Sequence, residues 1–157
     1  MELGGATERF MRIAIGSDHA GYEDPPPHYK PTITEHLQSR GYEIIDCGTN
    51  GPDSVDYPDY ADKVCEAVLD GSADLGVLIC GTGIGICMAA NRHKGIRGAP
   101  VATEDMARLS RSHNNSNVCC LGRRILSLDE CINLLDIWLD TPYSHHPRHQ
   151  RRIDKMG

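Results

Sequence analysis

The sequence predicts an α/β fold: a doubly wound, five-stranded parallel sheet with helices on both faces, Rossmann-like in plan. Short apolar runs alternate with longer helical patterns from one end of the chain to the other. The runs are apolar at nearly every position rather than at every second one, as strands covered on both faces are. The chain has 157 residues, 39% hydrophobic and 24% charged. That is one domain's worth of ordinary globular sequence, able to bury a core without disulfides or structural metal.

The expected strands are 11–16 (MRIAIG), 42–47 (YEIIDC), 75–80 (LGVLIC), 96–102 (IRGAPVA) and 117–121 (NVCCL). After the first strand, 23–31 (EDPPPHYKP) is too rich in proline for a helix interior, so it reads as a loop or a late helix start, with helix over 32–39. Further helices are expected over 57–69, 84–92 and 104–112. The clearest covers 128–139, where Ser127 and Glu130 have capping-box spacing and Leu128, Ile132, Leu135 and Leu139 line one stripe. A polar tail from Ser144 (SHHPRHQRRIDKMG) carries much of the positive charge. Residues 1–10 read as a disordered extension or a remnant foreign to the domain, which leaves 11–157 as a single domain with a basic C-terminal tail.

Composition narrows the function classes. The formal net charge is -6, from 22 acidic against 16 basic residues, without the positive excess that nucleic-acid phosphates favour. No run approaches the roughly eighteen apolar residues that span a bilayer. MELGGATERF has no apolar stretch resembling a signal peptide, so the expectation is a cytoplasmic protein with no membrane partner. The seven cysteines are odd in number, sit mostly in apolar segments and form no CxxC pair, so they read as reduced core thiols.

In such a sheet ligands bind beyond the carboxyl ends of the strands, and three of those segments are unusually polar: 17–21 (SDHAG), 80–85 (CGTGIG) and 122–124 (GRR). Gly81, Gly83 and Gly85, between a buried strand and a helix, let backbone N–H groups turn toward an anion or oxyanion. Their spacing is not GxGxxG, so a nicotinamide dinucleotide is not indicated. Cys80 ends its strand beside a helix N-terminus, a setting that lowers a thiol pKa from about 8.5. It suits a base or nucleophile, and equally the last core residue of a strand. Asp18 and His19 suit hydroxyl or phosphate binding, or a turn with solvated side chains. His113 and Asn114 close the fourth helical stretch, where a histidine also complements the helix dipole. Arg148 and Arg152, four apart, form a dianion clamp if the tail is helical and a solvated basic tail if it is not. His145, His146 and His149 have no Cys at ligand spacing, so no metal site is expected.

GSDHAGY, SVDYPDYA (54–61), LICGTGIGICMAANR (78–92), SRSHNNSNV (110–118) and RHQRRI (148–153) together closely resemble the ribose-5-phosphate isomerase type B family, in order and over nearly the whole chain from Met11. That family includes galactose-6-phosphate and allose-6-phosphate isomerases. The resemblance implies an aldose-ketose isomerase acting on a sugar phosphate through an enediolate, with no cofactor. Cys80 matches the general base, and Gly81, Gly83, Ile84 and Gly85 lie in the anion hole. Thr82 matches the residue that helps move the hydroxyl proton. His113 matches the group that opens the furanose ring, and Asn114 contacts the sugar. Asp18 and His19 match the substrate-binding pair, while Arg124, Arg148 and Arg152 match the arginines of the sugar and phosphate site. The resemblance also implies a homodimer or dimer of dimers with sites shared between subunits. Asp24, Pro25, Pro26, Pro27 and His28 depart from the family pattern close to the Asp18 and His19 loop. The competing class is a phosphosugar-binding module without turnover, against which Cys80, Thr82 and His113 together argue, since binding alone needs no base.

Overall fold

A computed structural model describes residues 11–157; the expected extension over 1–10 lies outside the described residues. Strands β1 (Arg12–Ser17), β2 (Glu43–Asp46), β3 (Leu75–Cys80), β4 (Gly98–Pro100) and β5 (Val118–Gly122) form one sheet in the order β2-β1-β3-β5-β4. All neighbouring pairs are parallel. The connecting helices are α1 (Tyr29–Ser39), α2 (Tyr57–Leu69), α3 (Ile84–Ala90), α4 (Glu104–Ser112) and α5 (Leu128–Asp140), and α6 (Pro147–Met156) ends the chain. Among the described residues no helix is long and apolar enough to cross a membrane.

Alternation along each strand explains why the runs are apolar throughout. Ile13, Ile15, Val77, Ile79, Cys119 and Leu121 face one way and pack with Ile33 and Leu37 of α1, Ala107 of α4, and Leu134, Leu135 and Trp138 of α5. Ala14, Leu78, Cys80, Val118 and Cys120 face the other way, onto Ala61, Val64 and Cys65 of α2 and Ile86 and Ala90 of α3. The sheet is therefore wound with helices on both faces, as expected. All seven cysteines are free. Burial pushes the Cys65 and Cys131 thiols up to about 12 and drives Cys119 up further, so these are inert core groups.

Most boundaries agree with expectation to within a residue, and the four larger differences each have a local reason. Helix α1 starts at Tyr29, before Pro31, because a proline in the first turn removes an N–H that has no helical partner there. Helix α3 stops at Ala90 rather than 92, with Asn91 as its C-cap. The Asn91 side chain then pairs with the outer edge of β4: its Oδ1 accepts from Gly98 N at 2.7 Å and its Nδ2 donates to Gly98 O at 3.0 Å. Strand β4 is an edge strand of only three residues ending at Pro100, shorter than the apolar run 96–102. The tail after Ser144 is helical as α6, entered through Pro147 and capped by His146, whose Nδ1 accepts from Arg148 N at 3.3 Å.

Candidate active site

Three backbone bonds draw the polar loops onto one rim at the carboxyl ends of β1, β3 and β5. Asp18 N donates to Ile79 O (3.2 Å), Arg123 N to Cys80 O (2.9 Å) and Arg124 N to Gly81 O (2.8 Å). Asp18 is buried, and its Oδ1 accepts from Ala20 N at 2.9 Å, capping a single 3-10 turn over His19–Tyr22. His19 Nδ1 accepts from Val55 N at 3.2 Å, which sets the orientation of the ring and leaves Nε2 as its outward nitrogen.

Cys80 is 4% exposed at the tip of β3, and its Sγ accepts from Gly83 N at 3.2 Å, so the sulfur sits on the floor of the glycine turn. Gly83 has φ +78, and a Cβ there would lie 3.0 Å from the Leu121 carbonyl carbon, so a larger residue at this bend would be strained and crowd the β5 backbone. Thr82 is exposed, with Oγ1 accepting from Ile84 N at 3.2 Å. Ile84 points outward and Gly85 lies under Tyr57. A Cβ on Gly81 would stand 2.9 Å from Arg124 Nη1, which places the guanidinium over the turn. Glu23 grips Arg124 with two prongs, Nη2 to Oε1 at 2.6 Å and Nε to Oε1 at 3.0 Å. Each holds the other charged: the Glu23 carboxyl is lowered and the Arg124 guanidinium raised, Arg124 also feeling Asp18 and Cys80.

The remaining expected residues lie elsewhere. Helix α4 runs back from the carboxyl end of β4, so His113, its C-cap, stands at the amino end of the sheet. The register sets Val118 beside Gly76 and Gly122 beside Cys80. At about 3.3 Å per residue the start of β5 is ~13 Å from the level of Cys80, and His113 precedes it. Asn114 is exposed beside it, its carbonyl accepting from Arg97 Nε at 3.1 Å. Buried His149 stacks on His113 with ring centres 4.2 Å apart and planes at 18°, which fixes α6 here, and Arg148 and Arg152 flank His149 on that helix. The expected site residues thus form two groups: Asp18, His19, Cys80 to Gly85 and Arg124 at one end, His113, Asn114, Arg148 and Arg152 at the other.

The crowded imidazoles set a pH dependence. His149 is held below its ordinary 6.5, by loss of solvation first and then by His113, Arg148, His146 and Arg152. The folded state then binds fewer protons than the unfolded one, so stability is full above about pH 6.5 and drains as the pH falls through that value. Across about pH 8 to 5 the wild type should lose Tm relative to His149→Phe, which keeps a ring in the stack and has no proton to bind. A constant Tm difference would refute this.

Glu23, Lys30, Tyr57 and His149 were not among the expected site residues. Lys30 is 1% exposed, and its Nζ donates to Asp46 Oδ1 (2.6 Å), Thr49 O (2.9 Å) and Asn50 Oδ1 (2.9 Å). It pins the 46–50 loop, whose Gly48 O and Thr49 N bond the backbone of Ser17. Its signal was visible: Lys30 lies three and seven residues before Ile33 and Leu37, on the buried stripe of α1.

A family model described as Ribose/Galactose Isomerase matches residues 13–156. The chain belongs to that family. Ribose-5-phosphate isomerase B of Escherichia coli K12 is 43% identical over 145 residues, covering 92% of this chain and 93% of the relative. Among solved ribose/galactose isomerase structures, Clostridium thermocellum ribose-5-phosphate isomerase B superposes with a TM-score of 0.88 at 48% identity, over 94% of this chain and 95% of that one. The Mycoplasma genitalium ribose-5-phosphate isomerase B, solved with bound ribulose 5-phosphate, superposes at 0.85 with 44% identity, over 93% of each chain.

Proposed function

We propose that this ribose/galactose isomerase family member interconverts ribose 5-phosphate and ribulose 5-phosphate through an enediolate, with Cys80 as general base. The observation that carries this reading is the Cys80 sulfur on the floor of the glycine turn, with Arg124 above it. The thiolate takes the proton from C2 of the open-chain aldose, and the electron pair moves into the C1–C2 bond as the C1 carbonyl oxygen becomes an enediolate oxygen. Return of the proton to C1, with the hydroxyl proton passing from O2 to O1, gives the ketose. C2 is oxidised and C1 reduced by the same two electrons, so the step balances without an external oxidant. Thr82, exposed on the turn, helps pass the hydroxyl proton. Gly83 and Ile84, expected in the anion hole, have their N–H groups committed within the loop to Cys80 Sγ and Thr82 Oγ1, so the other N–H groups of the turn meet the oxyanion. Asp18 and His19 bind sugar hydroxyls, Arg124 reaches over the turn, and Arg148 and Arg152 take the phosphate.

His113, which opens the furanose ring, and Asn114 complete the set. Because they stand at the opposite end of the same subunit from Cys80, a site containing both draws on two subunits. A two-fold pair that lays the His113 end of each copy over the Cys80 rim of the other contains two identical sites. We therefore propose a homodimer as the working unit, with pairing into a dimer of dimers as its closed extension, in a cytoplasmic setting and as a single domain over 11–157.

The test is incubation with ribose 5-phosphate in heavy water. The expected result is ribulose 5-phosphate carrying solvent deuterium on carbon. Absence of conversion overturns the activity, and conversion without any deuterium uptake overturns the exchangeable base. Higher kcat/KM on allose 6-phosphate or galactose 6-phosphate would reassign the substrate to a six-carbon sugar.

A further inference from the structure

We propose that Glu23 is a positioning residue: it fixes the Arg124 guanidinium so that one free N–H end is turned over the glycine turn, and the proline-rich departure after it is the brace that holds Glu23 still. The inference rests on the placement of Arg124 in the substrate site proposed above. A guanidinium offers five N–H donors in a rigid fork. Glu23 occupies the edge carrying Nε and Nη2, at 2.6 to 3.3 Å. That leaves Nη1 as the end facing Gly81, 2.9 Å from where a Cβ would stand.

An exposed arginine-carboxylate pair ordinarily contributes little, because two flexible side chains must be ordered to form it. Here one partner is already ordered. Glu23 N donates to Ala20 O at 3.2 Å, tying it to the turn that Asp18 caps. On its other side Arg123 Nη2 donates to Glu23 O (3.4 Å) and Asp24 O (3.2 Å). The Arg123 guanidinium lies 4.4 Å from the centre of the Tyr29 ring, and the Tyr29 hydroxyl is anchored to Leu126 O at 2.7 Å. Pro25, Pro26 and Pro27 follow directly, each with its φ locked by the ring. Consecutive arginines thus divide the work: Arg123 braces the segment that carries Glu23, and Glu23 presents Arg124. Without Glu23, Asp18 and, once ionised, Cys80 are the remaining groups that attract the Arg124 guanidinium. A freed Arg124 would fold onto them and occupy the space meant for the sugar.

The experiment is a double-mutant cycle on ribose 5-phosphate turnover. Glu23→Gln should raise KM about 5- to 10-fold, with kcat within about twofold and Tm unchanged, since preorganisation is lost and the base is untouched. Glu23→Asp, which retains the charge on a shorter arm, should fall between. In an Arg124→Ala background, Glu23→Gln should add nothing. If Arg124→Ala leaves KM unchanged, the placement of Arg124 in the site fails and the inference with it. If Arg124→Ala raises KM while Glu23→Gln does not, or Glu23→Gln costs the same in both backgrounds, the positioning role alone is refuted.

Discussion

Replacing Cys80 by alanine will abolish isomerisation while leaving the folded protein and its affinity for ribose 5-phosphate close to wild type. The side chain is 4% exposed at the end of a central strand, and its only hydrogen bond to the turn is the one that Gly83 N donates to the sulfur. Alanine removes one atom at the rim of the core, so the Tm should move little. Loss of a positioned general base should lower kcat roughly 10²- to 10⁴-fold. Cys119→Ala is the control, because that thiol is buried between β-strand and helices on the far face, is driven up by burial, and faces no rim. It should alter Tm and leave kcat alone. Near-normal turnover of the Cys80→Ala protein would show that another group takes the C2 proton.

The second large effect is expected at the other end of the sheet. Arg152→Ala should raise KM for ribose 5-phosphate strongly and lower kcat as well, since phosphate binding energy orients carbons that lie far from it. Lysine should rescue only in part, because it restores charge without the planar fork. A mixture of inactive Cys80→Ala and inactive Arg152→Ala chains should regain activity. Each mixed dimer has one site with neither change, built from the Cys80 rim of the Arg152→Ala chain and the α6 helix of the Cys80→Ala chain. If mixed dimers form and stay inactive, the helix serves its own subunit's site and the shared arrangement is wrong.

What the sequence makes legible is whatever depends on short-range pattern. The capping box of Ser127 and Glu130 is present with both bonds made, but of the stripe behind it only Leu135 is buried: Leu128, Ile132 and Leu139 are half-buried flanks of a face centred on Cys131, Leu134 and Trp138. The rim loops also follow from the strand-to-helix rhythm, since Cys80 and Asp18 each end a buried run. Three features were illegible for physical reasons. Glu23 and Arg124 are 101 residues apart, and no local pattern marks such a pair. The helical state of the tail depends on packing His149 against His113, which propensity does not register. The separation of Cys80 from His113 follows from the direction of α4, a property of the assembled sheet, so neither residue's own neighbourhood carries it, and only the family resemblance, with its shared sites, implied it.

The closed edge of β4 limits how two copies of the chain meet. An outer strand normally offers N–H and C=O groups to any passing strand, but here the Asn91 amide has already taken both groups of Gly98, and Pro100 has no N–H to give. A partner arriving on that flank finds no template for continuing the sheet across the molecular boundary. Two copies can therefore associate there only through side-chain surfaces, and each keeps its own five strands. The same closure guards a newly made, still unpaired chain against zipping edge to edge with its neighbours into an open-ended stack.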